Sequence, residues 1–228
     1  MLPSDHLAVG PVQVAPVTSV RDLGVYLDSN MSVKSHVTRL VRTCFAILRQ
    51  IRSIRRSLRR STLSISSFIV SKLDYCNVAL AELPSCDLIR LQSVVNAAAR
   101  LTVGAQRHDH ITPLLADLHW LWMPQRVQHK LCALVFQCIH ASAPIYLQHA
   151  VRPVANEEPR RRIRSVSSAN LLVPATRRST MGDRAFAVAE PEAIRRSQSL
   201  DTFKTSLNPF KPSGAKWLHY KVFKAILV

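Results

Sequence analysis

Apolar side chains alternate with polar ones over parts of residues 7–28, as at Leu23, Val25 and Leu27. A period of two residues is typical of a half-buried β-strand, because successive strand side chains point to opposite faces. We therefore predict a small β-hairpin or two short strands over residues 7–28, with a turn at residues 29–30.

The hydrophobic spacing changes to three or four residues after Ser32, which is the period of an amphipathic helix. Ser32 is a suitable N-cap, because its hydroxyl can accept a hydrogen bond from a free backbone N–H of the first turn. We predict a helix that ends near Leu58, with an apolar stripe formed by Val33, Val37, Leu40, Cys44, Leu48 and Ile51. The other side carries cations and is named the basic face: Lys34, Arg39, Arg42, Arg49, Arg52, Arg56 and Arg60. Phe45 and Arg55 lie on the wrong sides of this division.

Two further amphipathic helices are predicted before Gly104. Ser61 or Thr62 can cap the first of them, which ends before Pro84, and its stripe is Ile65, Phe68, Ile69, Leu73, Cys76 and Leu80. Ser85 begins the other, and Gly104 is a suitable residue to end it. The inward positions of that helix are Leu88, Leu91, Val95, Ala98 and Leu101.

Two more helices complete the predicted bundle. Thr112 followed by Pro113 is a cap with proline at the first helical position, which predicts a short helix to about His119. Residues 125–141 predict a fifth helix with Val127, Leu131, Val135 and Cys138 inward. Four or five helices with short links are expected to bury one common core. The predicted fold is therefore mainly α, with a small N-terminal β-hairpin before a helical bundle.

The composition of the sequence changes after Pro153, where PRRRIRSVSSAN is basic and rich in serine. We predict a hairpin unit over residues 1–30, a helical domain over residues 31–151 and a poorly ordered, loosely packed basic extension over residues 152–207. Residues 208–228 form a tail of uncertain origin.

The charge balance is unusual: 31 Lys and Arg residues against 14 Asp and Glu residues give a net charge of +17. The stretch RQIRSIRRSLRR, residues 49–60, contains six arginines, and no acidic residue occurs between Asp28 and Asp74. A surface of one sign over this length favours a polyanionic partner, because cations neutralise phosphates and release counterions. The candidates are nucleic acid, an anionic membrane surface, or a solvated helix side that has no partner.

The start MLPSDHLAVG does not have the pattern of a signal peptide, and apolar stretches such as LCALVF are too short to span a membrane. We therefore expect an intracellular protein, nuclear or cytoplasmic, without a membrane partner. The five cysteines have no CxxC spacing, which indicates reduced, buried thiols.

Catalytic and metal chemistry have weak candidates. His108, His110 and His119 are too widely spaced for a closed zinc site, which usually has four ligands that include cysteine pairs. Cys76 lies on an apolar stripe, so we predict a buried thiol rather than a nucleophile. Two alternatives are open for Asp74 and Asn77. They form hydrogen bonds with neighbouring backbone or with Asn96 and Arg100 of the third helix, or they face solvent.

Nucleotidyl transfer by two metal ions needs clustered carboxylates, and the acidic residues of this chain are dispersed. The chain also contains no glycine-rich phosphate loop, since its five glycines are scattered. We therefore predict no enzyme activity, no cofactor and no metal.

Six stretches together resemble one region of LINE-type retrotransposon polyproteins, of the jockey-like kind. They are VRDLGVYLDSNMSVKSHV (20–37), SKLDYCN (71–77), RLQSVVNAAARL (90–101), HITPLLADLHWL (110–121), APIYL (143–147) and GDRAFAVAEP (182–191). The region lies C-terminal to the palm of the reverse transcriptase. The resemblance implies that residues 1–30 are a residual palm edge and that residues 31–151 are similar to the thumb, whose helices track the primer–template duplex.

Two motifs of that family do not occur in this sequence. The family's catalytic carboxylates would lie before Met1, and its Trp-Asn-x-Leu-Pro motif is replaced by EAIRRSQ (192–198). We expect Val25 and Leu27 to be partly uncovered without the palm. The resulting hypothesis is a remnant of an RNA-directed DNA polymerase whose basic face binds RNA or duplex backbone without sequence preference. The alternatives are a helical protein-interaction module, with an unknown protein partner, and a gene fragment without a selected role.

Overall fold

A computed structural model describes residues 6–54, 62–151 and 186 of the chain. Strands β1 (Leu7–Val9) and β2 (Val12–Val14) form one antiparallel hairpin, and β3 (Ser19–Asp22) and β4 (Val25–Asp28) form another. The described helices are α1 (Lys34–Ile54), α2 (Thr62–Asp74), α3 (Ser85–Val103), α4 (Ile111–Asp117), α5 (Met123–Ile139) and α6 (Ile145–Gln148), with a 3₁₀ helix at Asn77–Leu80. The mainly α class is confirmed, and the N-terminal segment contains two hairpins rather than one.

The core lies where α1, α2 and α3 pack against one another. Val37 and Cys44 of α1, Leu73 of α2 and Leu91 of α3 are fully buried there. Burial raises the pKa of the Cys44 thiol to about 11, although the nearby Lys72 lowers it. The predicted apolar stripe of α1 is therefore part of the core.

The hairpin of β3 and β4 packs against this core through β4 and is hydrogen-bonded at its turn to Tyr75, just after α2. Val25 is buried in the main cluster, and Leu27 packs against that cluster. At the turn, the hydroxyl of Tyr75 donates a hydrogen bond of 2.5 Å to the carbonyl oxygen of Leu23. Gly24 has a φ of +86°, and a Cβ there would lie 3.3 Å from the Tyr75 ring. The expectation that Val25 is partly uncovered is wrong, because this residue is buried against the helices, whereas Leu27 is only half-buried, in line with the expectation.

Helix α1 is capped by Asp28 more directly than by the predicted Ser32. The Asp28 carboxylate accepts hydrogen bonds from the Ser35 backbone N–H at 3.1 Å and the Ser32 hydroxyl at 3.0 Å. The Ser32 hydroxyl lies 3.5 Å from the Lys34 nitrogen, which is a long hydrogen bond. Burial acts to raise the pKa of Asp28, but the hydrogen bonds from Ser35, Ser32 and Lys34 hold it below its usual value. The last residue of β4 therefore fixes the start of α1.

Two residues of the predicted α2 stripe are exposed instead of buried. Phe68 lies about 120° around the helix from the centre of the buried pair Ile69 and Leu73, at 100° per residue. Cys76 lies beyond the end of α2 with a φ of 53° and is exposed. Because the chain turns there and continues as a 3₁₀ helix, the helical period does not extend from Leu73 to Leu80. The prediction of a buried Cys76 is wrong.

The later helices begin slightly earlier than predicted. Helix α4 starts at Ile111 after His110, so Thr112 is not its cap, and α5 starts at Met123 rather than residue 125. Gly104 ends α3 in the left-handed conformation with a φ of 85°, as predicted. The short helix α6 was not predicted, since only four residues form it.

A second, smaller cluster lies at the end of α5. Cys132, Val135 and Cys138 are buried with Val151, and Phe186 packs against them. Apart from Phe186, the predicted extension and tail lie outside the described residues. The predicted domain boundaries stay a prediction. No helix within the described ranges is long and apolar enough to cross a membrane.

The hairpin of β1 and β2 has no such cover. Its register pairs Leu7 with Val14 and Val9 with Val12, so all four side chains lie on one face. Each of them is between 48% and 59% exposed. The first hairpin therefore has one face of exposed apolar side chains, whereas the second hairpin buries Val25 and exposes Val20 and Leu23.

Candidate nucleic-acid interface

The basic face is an outward surface of α1 over its described length. Lys34, Arg39, Arg42, Arg49 and Arg52 are all exposed, whereas Arg56 and Arg60 lie outside the described residues. Helix α1 contains no acidic residue, and its buried residues lie on the other side. The axial distance from Lys34 to Arg52 is about 27 Å at 1.5 Å per residue.

These cations have no carboxylate partners among the described residues. The ion pairs found in the described ranges involve Asp74, Asp87 and Asp109, and none of them includes a residue of α1. The side chains between the cations are small or uncharged, such as Ser35, Ala46 and Ser53. Solvated helix faces usually mix charges of both signs, and this one carries positive charge only.

The second hairpin contributes two residues beside the basic face. The guanidinium carbon of Arg39 lies 4.3 Å from the centre of the Tyr26 ring, and that of Arg21 lies 5.9 Å from it. Arg21 and Tyr26 are direct cross-strand partners. The Tyr26 backbone N–H donates a hydrogen bond of 3.5 Å to Nδ1 of His36, which connects β4 to α1. The hairpin therefore places Arg21 near the start of α1, where the helix itself carries Lys34 and Arg39.

Helix α3 places a further arginine beside α1. One guanidinium nitrogen of Arg90 donates to the Thr38 hydroxyl at 3.1 Å, and the other donates to the Asp87 carboxylate at 3.0 Å. Thr38 lies on the same side of α1 as Lys34 and Arg42, by helical geometry. Asp87 is buried, so the charge of Arg90 is largely balanced by its own helix.

Asp74 and Asn77 are both buried, and their main partner is neither of those predicted. One nitrogen of Arg126 on α5 donates to both carboxylate oxygens of Asp74, at 3.1 and 3.0 Å. The Asn77 amide lies 3.5 Å from the same carboxylate. Burial raises the pKa of Asp74, and Arg126 opposes that shift.

The two predicted partners on α3 have contacts elsewhere. Asn96 accepts a hydrogen bond from Gln92, and Arg100 donates to the backbone oxygen of Asp109. Gln92 in turn accepts the backbone N–H of Met123 at 2.6 Å. This polar network joins α3 to α5 and to the loop before α4, and it is structural.

The candidate metal ligands do not converge. His108, His110 and His119 are exposed, and His108 lies 3.6 Å from the carboxylate of its neighbour Asp109. Across the described ranges, no group of three or more His, Cys, Asp or Glu residues could hold a metal ion. Asp28, Asp74 and Asp87 each have a structural contact, with the start of α1, Arg126 and Arg90 respectively.

Sequence reasoning identified the cations of α1 and missed those that flank them. That Arg21 and Tyr26 share a face could have been found from the predicted hairpin, because directly opposite residues on neighbouring strands do so, but their place beside α1 depends on how the hairpin packs. Arg90 could not have been found, since its place beside Thr38 depends on how α3 packs against α1.

Comparison of the chain with known protein families, with curated proteins and with solved structures gives no match in any of the three.

Proposed function

We propose that the protein binds the phosphate backbone of RNA or duplex nucleic acid through the basic face of α1, without reading base sequence. The observation that carries this proposal is the row of exposed cations from Lys34 to Arg52, with no carboxylate partner in the described residues. Arginine suits this role, since its planar group can donate to two phosphate oxygens at once.

The shape of the surface supports backbone binding. A duplex carries one negative charge per about 1.7 Å of its axis, so a helix face about 27 Å long can lie beside many phosphates. Phosphate contacts determine the position of a protein on nucleic acid and carry no sequence information. The described cations of the basic face are all exposed, so their charged groups are accessible to phosphates.

The alternative of a protein-interaction module loses one of its candidate surfaces. An amphipathic helix that binds another protein does so through its apolar side. The apolar side of α1 is already buried, since Val37, Cys44 and Leu48 lie in the core. A protein partner would have to use a different surface from the apolar stripe of α1.

We also propose that the chain is the thumb-like remnant of a LINE-type reverse transcriptase. The support is the order of the six resembling stretches, two of which meet in space. Leu23 and Gly24 of the first stretch contact Tyr75 of the second. Residues 31–151 then correspond to the thumb, and the hairpins to the palm edge.

No polymerase activity is proposed for this chain. The test is primer extension on an RNA template with Mg²⁺ or Mn²⁺, and template-dependent extension by the pure protein would contradict the proposal. The positive observation behind it is that Asp28, Asp74 and Asp87 already bond protein groups, so they are not arranged to hold two metal ions.

Binding is tested by titrating labelled DNA, RNA and hybrid duplexes of several sequences with the full chain over a series of salt concentrations. If about four to six phosphates are neutralised, the logarithm of the association constant should fall with log salt at a slope near −3 to −5. Affinity should hardly depend on sequence. Binding that is insensitive to salt, or no binding at low salt, would contradict the proposal.

The arginine-rich stretch at residues 160–164 of the predicted basic extension is the competing source of such binding. Replacing Arg160, Arg161 and Arg162 by glutamate should change the slope less than the same replacement of Arg42, Arg49 and Arg56. If the variant of Arg160, Arg161 and Arg162 loses binding and the variant of the basic face keeps it, then the basic face is an ordinary solvated surface.

A further inference from the structure

Two arginines from different elements lie on one aromatic ring beside the basic face. Arg21 comes from β3, Arg39 from α1, and the ring is that of Tyr26 on β4. The distances from the ring centre to the guanidinium carbons, 5.9 Å for Arg21 and 4.3 Å for Arg39, place the two charges at most about 10 Å apart. Cations within about 6 Å of a ring centre are attracted to its face.

The carboxylates nearest in sequence, Asp22 and Asp28, do not form ion pairs with these two arginines. Asp22 follows Arg21 on β3, so its side chain lies on the opposite face of the hairpin. Asp28 is on the same face of the hairpin as Tyr26, but its carboxylate accepts the hydrogen bonds that begin α1. Neither Arg21 nor Arg39 forms an ion pair with any of the described acidic residues. Two positive charges at most about 10 Å apart add to the positive potential around the ring, and that potential attracts an anion.

The strand that carries the ring is held by contacts that do not involve the two arginines. Tyr26 is half-buried, its backbone N–H is bonded to the buried His36, and its hairpin is fixed at the turn by Tyr75. A guanidinium group that lies against a fixed ring loses less freedom when it binds a phosphate. The hairpin therefore provides a rigid support for Arg39.

We propose that Arg21 and Arg39 bind one phosphate group between them and that Tyr26 is the positioning residue that holds Arg39 for it. The ligand is a backbone phosphate of the same nucleic acid that lies along α1, so this inference rests on the proposed function. It extends the interface from the helix onto the second hairpin.

The first test is a double-mutant cycle, measured by binding of the full chain to a labelled DNA duplex at several salt concentrations. Tyr26→Leu should weaken binding about two- to fivefold, which is the size of an exposed cation–π contact. Tyr26→Phe should keep wild-type affinity, because it retains the ring. In an Arg39→Gln background, Tyr26→Leu should cause no further loss, because its effect acts through Arg39.

The second test does not depend on Tyr26 variants that fail to fold. If Arg21 and Arg39 contact the same phosphate, Arg21→Gln and Arg39→Gln together should reduce the salt slope by about 0.9 rather than about 1.8. Additive slopes for the two arginines, or equal losses from Tyr26→Leu in both backgrounds, would overturn the inference.

Arg49→Gln separates this inference from the proposed function. Arg49 lies on the basic face, more than two turns from Arg39. If Arg49→Gln reduces the slope by about 0.9 while the Arg39 and Tyr26 variants leave it unchanged, the subsite is wrong and backbone binding by α1 stands. If none of these variants changes the slope, both proposals are wrong.

Discussion

Arg126 and the arginines of the basic face carry the same guanidinium group in opposite surroundings. The side chain of Arg126 is 9% exposed and donates to both oxygens of a carboxylate that is equally buried. Arg42, Arg49 and Arg52 are exposed and have no carboxylate partner among the described residues. Arg126 joins α5 to the end of α2, whereas the α1 arginines leave their charge available to an outside anion.

The difference shows that net charge alone does not identify an interface. A buried arginine must be paired, because an isolated charge in the interior is costly to desolvate. An exposed arginine without a partner costs little, and it adds to the positive potential of the surface. Arg90 is intermediate, since it is half-exposed and bonds the buried Asp87. The three settings predict three different responses to substitution.

The largest effect on stability is expected at the buried pair. Asp74→Asn leaves the charge of Arg126 buried without its counterion, and breaking such a pair costs about 3–5 kcal/mol in the free energy of unfolding. Chemical denaturation measures this loss. The double change Asp74→Leu with Arg126→Met should recover most of it, since an apolar pair of similar size replaces the ions. A loss within about 0.5 kcal/mol, the usual range for surface substitutions, would mean that the pair is exposed in solution.

An intermediate loss is expected at Arg90. Arg90→Gln removes the cation beside the buried Asp87 carboxylate, and a buried group left without its partner costs about 1–3 kcal/mol. The matched control is Arg107→Gln, because Arg107 is exposed and lies in the loop before α4. The control should stay within about 0.5 kcal/mol of the wild type in the same denaturation experiment. Equal losses for the two variants would show that the contact of Arg90 with Asp87 adds no stability.

The smallest effect is a pH dependence that involves the attachment of the second hairpin. Burial lowers the pKa of His36, so the unfolded chain takes up a proton at a higher pH than the folded protein does. This contribution to stability is complete above the ordinary histidine pKa of about 6.5 and declines as the pH falls from there to the folded pKa.

Melting temperatures measured across that interval test the direction. His36→Asn should flatten part of the decline, because asparagine can accept a hydrogen bond from Tyr26 but does not titrate. Burial also lowers the pKa of His129, so some decline of the same sign should remain in the variant. A protein that becomes more stable over the same fall in pH would contradict this assignment.

Much of the fold could be predicted because the hydrophobic periods are clear. The stripe of α1, the stop at Gly104 and the inward residues of α5 follow directly from spacing and capping. Cys76 could not be placed, because a turn after Asp74 interrupts the helical period, and Phe68 was assigned to the wrong side of α2. The cap by Asp28 was missed because it acts across seven residues of sequence, onto Ser35.

The candidate site divides in the same way. The cations of α1 lie on one helix, so the helical period alone places them together. The position of Arg21 and Tyr26 beside the basic face depends on how the hairpin packs against α1. The partner of Asp74 is Arg126, which lies 52 residues away on α5. Local pattern predicts a helix face, and tertiary packing decides which polar groups are paired.

Whether the cations of α1 bind phosphates is tested by comparing two double variants of equal charge. The double variant Arg42→Gln with Arg49→Gln is compared with Lys72→Gln and Arg107→Gln, which removes two exposed cations elsewhere. Lys72 is close enough to Cys44 to lower its pKa, so it lies towards the buried side of α1. Each pair removes the same net charge from the protein.

Both double variants are titrated with one labelled duplex over a range of salt concentrations. The α1 variant is expected to lose about 1.8 from the magnitude of the salt slope, which corresponds to two phosphate contacts. The control should keep a slope close to that of the wild type. Equal slopes for the two variants would show that binding follows net charge alone, and that the basic face is not the interface.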